Sequence, residues 1–174
     1  DKIMLGMEIR PRVVEYSQHR ITEMREESLK NQDTMNDDQT LSVLPGENVW
    51  VIRCNVMKNL ANFIQKAQLE RIFFCYPDPH WKKKKHRRRI ISETLLSEYA
   101  YVLKKGGLIY TVSDVKELGD WMREHLESHP SFEALTPEEM AQDEYSQYVK
   151  DSSEDAVRSE KQKRDKHLCI FRRI

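Results

Sequence analysis

The chain has 174 residues, with 29 Lys or Arg and 29 Asp or Glu side chains, so its formal net charge is zero. The basic side chains are concentrated. Residues 82–89, KKKKHRRR, hold seven Lys or Arg and no acid, which leaves 22 basic against 29 acidic residues elsewhere. This asymmetry predicts one local anionic partner. The length corresponds to about one domain, and no apolar run approaches the about 18 residues of a membrane span.

The cysteine and histidine content argues against a disulfide frame or a metal centre. Cys54, Cys75 and Cys169 lie far apart and form no CxxC pair, which favours a reducing compartment. His125 and His129 are four residues apart on a predicted helix, a spacing that can suit a metal. Because no third ligand is near them in sequence, two surface histidines are the better interpretation.

The first third of the chain alternates strand and helix patterns. Residues 3–9 (IMLGMEI) and 49–53 (VWVIR) are apolar runs that predict strands. Residues 11–27 carry apolar side chains at helical spacing and predict a helix, and a shorter helix is expected at 57–66. Residues 28–47 are polar and lack periodicity, which predicts a mobile surface insertion.

A strand that is apolar after Arg71, RIFFCY (71–76), is predicted next and ends at the turn PDPH. Ser92 can cap a helix that runs through Leu103. Gly106 and Gly107 are expected to stop that helix, as glycine does at helix C-termini.

The rest of the chain adds two strands, at 108–113 (LIYTVS) and 167–174 (HLCIFRRI), and a helix at 115–128. Residues 136–165 are only weakly patterned. Because strands alternate with helices and several strands are continuously apolar, the sequence predicts an α/β fold with a mostly parallel sheet and helices on both faces.

Four polar residues follow predicted strands: Glu8, Asn55, Asp78 and Asp114. Ligands of such sheets bind outside the carboxyl ends of the strands, so these residues are expected to converge on one rim. Glu8 could accept hydrogen bonds from the hydroxyls of an adenosine ribose, or be a solvated carboxylate with Arg10 as its ion-pair partner. Asn55 could meet an adenine edge, or simply begin a turn.

Asp78 is the most specific of these candidates. Pro77 and Pro79 fix their own φ and restrict the residues before them, so this carboxylate is held by a stiff backbone. It could accept hydrogen bonds from a planar donor edge such as that of guanine. His80 and Trp81 supply planar groups on which unstacked bases rest.

The cationic block 82–89 is predicted to track RNA phosphates. A nuclear-import signal is the alternative, and the two interpretations can coexist. Single-stranded or loop RNA suits the arrangement better than duplex, because accessible bases can stack on aromatic rings. The predicted RNA-contacting residues of this segment are His80, Trp81, Lys82, Lys83, Lys84, Lys85, Arg87, Arg88 and Arg89.

Several stretches together resemble the tRNA (guanine-N7-)-methyltransferases, and most closely the eukaryotic catalytic subunit. They are GMEIR (6–10), NVMKNL (55–60), FFCYPDPHWKKKKHRRR (73–89), LLSEYAYVLKKGG (95–107) and YTVSDVKELGDWM (110–122). The resemblance implies one methyltransferase domain over residues 1–174, with the Rossmann-like class I S-adenosylmethionine-dependent fold. It also implies methyl transfer to guanine N7 at position 46, in the variable loop of tRNA, with S-adenosylhomocysteine as product.

The resemblance further implies roles for individual residues. Asp78 matches the proposed catalytic aspartate, and Lys82 and Asp114 match substrate-contacting positions. A late family motif, a threonine followed by two acids, is matched by Ser-Glu-Asp at 153–155. The implied cofactor-binding residues are Glu8, Ile9, Arg10, Asn55, Val56, Cys75, Ser153 and Asp155.

One departure from the family pattern is large. The family carries a glycine-rich loop after its first strand, in sequence before GMEIR, whereas this chain has five glycines and no G-x-G. The expectation is therefore that the first strand and this loop are missing from the given chain. The resemblance implies two partners, tRNA and a non-catalytic WD-repeat β-propeller subunit. It implies location in the nucleus, with the cytoplasm as a further site.

Two other functions are compatible with parts of the sequence. A non-catalytic RNA-binding module would need the cationic block but no cofactor. A nucleotide-dependent oxidoreductase would use Glu8 on a ribose, but it leaves the block at 82–89 unexplained.

Overall fold

The computed structural model of the protein describes residues 2–32 and 45–174. The chain forms two compact units, Asp1–Leu60 and Ala61–Ile174. Within the described ranges, no helix combines the length and apolar character needed to cross a membrane.

The first unit is a strand–helix–strand arrangement that leads into a second helix. Its elements are β1 (Met4–Glu8), α1 (Pro11–Gln32), β2 (Val49–Arg53) and the start of α2 (Val56–Phe63). β1 and β2 are parallel and in register. The predicted strands are confirmed, and their carboxyl ends lie side by side because Glu8 stands opposite Arg53.

The predicted end of the first helix, at residue 27, is wrong. α1 continues to Gln32, so residues 28–32 are helical and not part of an insertion. The hydroxyl of Ser28 donates to the carbonyl of Met24 at 2.7 Å. A solvated last turn needs no apolar face, so hydrophobic periodicity cannot reveal it. Of the rest of the predicted insertion, residues 33–44 lie outside the described residues, and 45–47 form part of a turn.

The second unit is built on a four-stranded sheet, in the order β3-β4-β6-β5. β3 and β4 are parallel, whereas β6 runs antiparallel to both of its neighbours. Its elements are β3 (Leu69–Cys75), a 3-10 helix (Lys83–Arg88), α3 (Glu93–Val102), β4 (Leu103–Ser113), α4 (Lys116–Ser128), β5 (Phe132–Ala134), α5 (Pro137–Gln142), α6 (Ser146–Asp151), α7 (Glu154–Lys161) and β6 (His167–Arg173).

The two glycines predicted to stop the third helix belong to a strand instead. α3 ends at Val102, and β4 starts at Leu103 and includes Gly106 and Gly107. Gly106 has φ +77°, and a Cβ on Gly107 would lie 2.8 Å from Leu103 Cγ. The pairing of β3 with β4 shifts register between Leu69 and Arg71, next to this point. These glycines therefore allow the irregular backbone at this point of β4.

The core of the second unit lies where β4 and β6 meet. Tyr110 and Ile170 are almost fully buried and face each other across the antiparallel ladder. Phe73 of β3 stacks on Tyr110 with ring centroids 4.6 Å apart. This core packs against β3 and β4, and the predicted site residues Asp78 and Asp114 follow the ends of these two strands.

Three short helices occupy the weakly patterned region. α5 begins with a capping box in which Thr136 and Glu139 bond each other's backbone. α7 begins at Ser153, whose hydroxyl accepts a hydrogen bond from the N–H of Ala156 at 3.0 Å. Six to eight residues are too few for a periodic signal, so local caps define these helices.

Candidate functional site

In the first unit, the carboxylate of Glu8 at the end of β1 is held by Arg10. Its Oε1 accepts from the backbone N–H of Arg10 at 2.8 Å, and its Oε2 accepts from Arg10 Nη2 at 3.0 Å. Hydrogen bonds from the Arg10 side chain lower the pKa of Glu8 below its ordinary value. The predicted ion pair with Arg10 is confirmed, and Glu8 is an ionised acceptor at neutral pH.

The residues around Glu8 present both polar and apolar groups. Ile9 directly follows β1, and its side chain is 56% exposed. Asn55 follows β2, and its carbonyl accepts from the N–H groups of Lys58 and Asn59, which starts α2. The N–H of Cys54 donates to the carbonyl of Glu8 at 2.9 Å, so Glu8 and Asn55 share one edge. The predicted convergence of polar residues at strand ends is therefore observed for Glu8 and Asn55 within this unit.

In the second unit, the loop after β3 has a constrained backbone. Tyr76 and His80 both have positive φ, 50° and 47°, in a segment that also contains Pro77 and Pro79. Asp78 Oδ1 accepts from the N–H of His80 at 2.9 Å. The side chain of Asp78 is 72% exposed, so its carboxylate remains available to a ligand. Non-glycine residues at positive φ are uncommon and cluster at functional sites.

The cationic segment after this loop forms the 3-10 helix Lys83–Arg88. Trp81 is 65% exposed. The basic side chains of this segment that lie exposed are Lys82, Lys83, Lys84, Lys85, Arg87 and Arg88. An exposed indole followed by six exposed cations suits a ligand that carries both bases and phosphates.

Arg89 departs from the predicted row of phosphate-contacting residues. Its side chain is 1% exposed, and Nη2 donates to Glu117 Oε1 at 2.7 Å. Its Nε donates to the carbonyl of Pro79 at 3.0 Å, and its guanidinium lies over the ring of Trp121. The prediction that Arg89 contacts RNA is corrected, because these contacts bury the group inside the unit.

Asp114, at the end of β4, is paired within the chain. Its Oδ2 accepts from Arg164 Nη1 at 2.7 Å, and its side chain is 18% exposed. Burial acts to raise the pKa of Asp114, but hydrogen bonds from Arg164 and Ser159 outweigh it and the pKa lies below the ordinary value. A ligand that uses this carboxylate must share it with Arg164.

Sequence reasoning missed Tyr76 as part of this site. Its hydroxyl lies 3.4 Å from the carbonyl of Lys150, at the end of α6. Burial, with the negative charges of Asp114, Cys75, Asp151 and Asp155 nearby, raises the pKa of Tyr76 to about 12. Tyr76 therefore keeps its proton at neutral pH. The signal that could have revealed it is its position between an apolar strand and a proline.

The residues of the late motif are placed by α7. Ser153 caps this helix, and Asp155 pairs with Arg158 at 3.3 Å on its exposed face. A polar cleft of about 710 Å³ lies between the end of α6 and the segment that follows α7. The cleft is lined by Lys150, Asp151, Glu160, Lys163, Arg164, Asp165 and Lys166. Cys75, at the end of β3, is exposed.

The two histidines considered as metal ligands have other partners. His125 Nδ1 donates to the carbonyl of Trp121 at 2.8 Å. His129 is buried, which corrects its assignment to the surface, and its Nε2 lies 3.2 Å from Ser97 Oγ. Across the described ranges, no group of three or more His, Cys, Asp or Glu side chains could hold a metal ion.

The structure thus places the predicted residues in two groups. Glu8 and Asn55 follow the adjacent parallel strands β1 and β2 of the first unit. Asp78 and Asp114 follow the adjacent parallel strands β3 and β4 of the second. Each group lies at carboxyl ends of parallel strands, where α/β folds bind ligands.

Comparisons with known proteins agree with this arrangement. The fold is similar to the crystal structure of a "putative rRNA-methylase" from Clostridium thermocellum, with a TM-score of 0.53 at 13% identity, over 99% of this chain and 75% of that one. The predicted α/β fold is confirmed. A family profile described as "Putative methyltransferase" matches residues 1–169.

Curated relatives specify the family further. A tRNA (guanine-N(7)-)-methyltransferase of Culex quinquefasciatus is 48% identical over 174 residues, 100% of this chain and 67% of the relative. The chain belongs to the tRNA (guanine-N(7)-)-methyltransferase family. Members from Aedes aegypti and Arabidopsis thaliana are 48% and 43% identical over the whole chain, which covers 65% and 64% of their lengths. The chain therefore spans about two thirds of the length of these relatives.

Proposed function

We propose that this protein transfers a methyl group from S-adenosylmethionine to guanine N7 of tRNA, at position 46 in the variable loop. Membership of the tRNA (guanine-N(7)-)-methyltransferase family supports this function. The single observation that carries it is the Asp78 loop, in which an exposed and stiffly held carboxylate directly precedes the exposed cations that begin at Lys82.

Asp78 orients the base in this proposal. Guanine N7 has an in-plane lone pair and no proton at neutral pH, so its alkylation needs no general base. The carboxylate accepts from the N1–H and N2–H₂ groups of guanine and balances the positive charge that develops on the ring. Because the backbone of residues 76–80 is restrained, the carboxylate needs little reorganisation.

The cations and Trp81 hold the tRNA. The exposed cations at positions 82–85, 87 and 88 neutralise phosphates. The indole of Trp81, which is 65% exposed, stacks on an unpaired base. A guanine in a stacked tRNA core is poorly accessible at N7, so the target nucleotide is extruded from its stack.

The first unit carries groups that fit S-adenosylmethionine, which supplies an electrophilic methyl group when bound. Glu8 is ionised, and it accepts from Arg10 while keeping lone pairs for ribose hydroxyls. Ile9 offers an exposed apolar face, and Asn55 and Val56 lie at the same edge. For Cys75, Ser153 and Asp155 of the second unit, the proposed cofactor-binding role rests on family resemblance.

Methyl transfer to tRNA tests the proposal directly. The full-length protein, with its partner subunit, is incubated with labelled S-adenosylmethionine and a tRNA transcript. We expect label at N7 of guanine 46, no label when that guanine is replaced by adenine, and no label with Asp78→Ala. Because Asp78 is exposed, Asp78→Ala should keep the wild-type circular dichroism spectrum. Normal turnover by this variant would refute the role of Asp78.

Calorimetry separates this enzyme from a non-catalytic RNA-binding module. The enzyme binds both S-adenosylmethionine and tRNA, whereas the module binds tRNA alone. Glu8→Gln should weaken cofactor binding and leave tRNA affinity unchanged. Wild-type protein that gives no heat with the cofactor but binds tRNA would favour the module.

The partner subunit and the location are proposals that rest on family resemblance. A WD-repeat β-propeller protein would bind as the non-catalytic subunit, and co-purification of the tagged full-length protein tests this. The block at 82–89 would also direct the protein to the nucleus, with the cytoplasm as a further site. Imaging of a variant with Lys82–Lys85 replaced by glutamine tests the location.

A further inference from the structure

Arg89 is the last residue of the cationic block and the only one of its seven Lys and Arg side chains that is buried. It caps the 3-10 helix, and its backbone N–H donates to the carbonyl of His86 at 2.9 Å. A block that serves only to attract phosphates would gain nothing from burying one of its cations. The burial therefore points to a separate task for this side chain.

The guanidinium of Arg89 joins three segments of the chain. Its Nε donates to the carbonyl of Pro79 at 3.0 Å, and its Nη2 donates to Glu117 Oε1 of α4 at 2.7 Å. The group also lies over the ring of Trp121, 4.7 Å from the ring centroid. The 3-10 helix, the Asp78 loop and α4 are thus tied together by one planar group.

The contact with Pro79 reaches Asp78 through a single peptide group. The carbonyl of Pro79 and the N–H of His80 belong to the same planar unit, so fixing the direction of one fixes the other. Arg89 holds the oxygen side of this plane. At the nitrogen end of the same peptide group, the N–H of His80 donates to Asp78 Oδ1 at 2.9 Å. The orientation of the Asp78 carboxylate therefore depends on where Arg89 holds Pro79.

We propose that Arg89 is a positioning residue, which orients the Asp78 carboxylate through the peptide group between Pro79 and His80. The inference rests on the proposed function only for the role of Asp78. It also assigns a mechanical link from the 3-10 helix to that carboxylate, because Arg89 caps the end of this helix.

The energetics favour positioning over simple stabilisation. Within the described residues, the buried Nη1 of Arg89 has no hydrogen-bond partner. A buried guanidinium that is incompletely satisfied is a poor source of stability, since desolvation offsets much of the attraction to its partner. Its planar geometry, with donors in fixed directions, is what a lysine cannot reproduce.

The test compares Arg89→Lys with a matched control, Arg71→Lys. Arg71 also has a buried Nε without a hydrogen-bond partner in the described ranges, and its guanidinium lies 4.4 Å from the ring centroid of Tyr145. It lies in β3, away from the predicted tRNA-contacting residues. Both variants are made in the full-length protein with its partner subunit.

Two measurements report on positioning. Hydrogen exchange at the His80 amide should be about tenfold faster or more in Arg89→Lys and unchanged in Arg71→Lys. The single-turnover rate of methyl transfer should fall by about 10- to 100-fold, as expected for a small misplacement of a catalytic group. Affinity for tRNA should stay within about twofold, because Arg89 is buried and contacts no phosphate. Wild-type exchange and rate in Arg89→Lys would overturn the proposal.

A second variant covers the case in which Arg89→Lys does not fold. Glu117→Gln keeps the shape of the 56% exposed partner and removes its charge, so it should fold. It should show faster exchange at the His80 amide and slower methyl transfer, each to a smaller degree than Arg89→Lys. If neither quantity changes, the proposal is overturned. If the wild-type protein transfers no methyl group, the proposed function fails. The exchange rate of the His80 amide then still decides whether Arg89 orients the loop.

Discussion

Arg164 reaches back fifty residues along the chain to Asp114, and its Nη1 lies 2.7 Å from Asp114 Oδ2. The pair joins the segment after α7 to the end of β4. It places a cation on a carboxylate that family resemblance assigns to substrate contact.

Arg164→Ala should raise the pKa of Asp114 towards its ordinary value, because burial then acts without the opposing hydrogen bond. A carboxyl whose folded pKa is lowered contributes stability above the unfolded pKa of about 3.9 and loses it as pH falls through the folded pKa. Urea unfolding should therefore show a deficit of about 1 kcal/mol or less at neutral pH, since Arg164 is half exposed. The deficit should vanish in acid.

The matched control for this pair is Arg158→Ala. Arg158 pairs with Asp155, and both side chains are more than half exposed. We expect a smaller effect and little pH dependence. A deficit for Arg164→Ala that persists unchanged below the folded pKa of Asp114 would show that packing, not charge, links the two segments.

Tyr76 should titrate with a pKa of about 12, against an ordinary value of about 10. Its neutral form is favoured in the folded state, so the stability it contributes is complete below pH of about 10 and is lost as pH rises towards about 12. Difference absorbance of tyrosinate between the wild type and Tyr76→Phe measures this. A difference that titrates near the ordinary value would contradict the raised pKa that partial burial and the nearby acidic groups give Tyr76.

The salt dependence of tRNA binding should distinguish the exposed cations that follow Trp81 from lysines elsewhere on the surface. Replacing Lys83, Lys84 and Lys85 by glutamine should reduce the slope of log K against log salt for tRNA binding by roughly 2 to 3, at about 0.7–0.9 per phosphate contact. Replacing the exposed lysines 66, 104 and 105 should leave the slope unchanged. Equal reductions in both variants would argue against localised RNA contact.

Gly107→Ala should destabilise the fold by about 1–3 kcal/mol, as overpacking does. Its Cβ would lie 2.8 Å from the carbonyl oxygen of Lys104 and 2.9 Å from that of Glu70, and backbone atoms yield poorly. Gly106→Asn is the control, because nothing lies within 4 Å of its Cβ position and asparagine tolerates positive φ. Denaturant midpoints should fall for the alanine variant only.

Sequence patterns predicted the strands because apolar runs are typical of β-structure, as at Ile72–Cys75 in β3 and at Leu108–Val112 in β4, where all but Leu108 are buried. Sequence patterns failed where one local pattern is compatible with two structures. Gly106 and Gly107 fit a helix stop as well as a strand irregularity, and only the pairing with β3 decides between them. Short elements such as β5 carry too few residues to show a period.

Those features of the candidate site that depend on residues close together in the sequence could be predicted. The stiffness of the Asp78 loop follows from two prolines, and the pairing of Glu8 with Arg10 follows from their proximity. The contacts of Arg164 with Asp114 and of Arg89 with Glu117 join residues 50 and 28 positions apart. Nothing local distinguishes Arg89 from Arg88, so burial of the one and exposure of the other required the fold.

The place of β6 within its sheet bears on how the protein is made. β5 pairs with β6, and β6 in turn pairs with β4, so β5 reaches the sheet only through residues 167–173. Without these residues, β4 has an unpaired edge on the side that β6 would otherwise occupy, and β5 loses its partner strand. Closure of the sheet therefore requires residues 167–173, and truncation before residue 167 would leave an aggregation-prone edge.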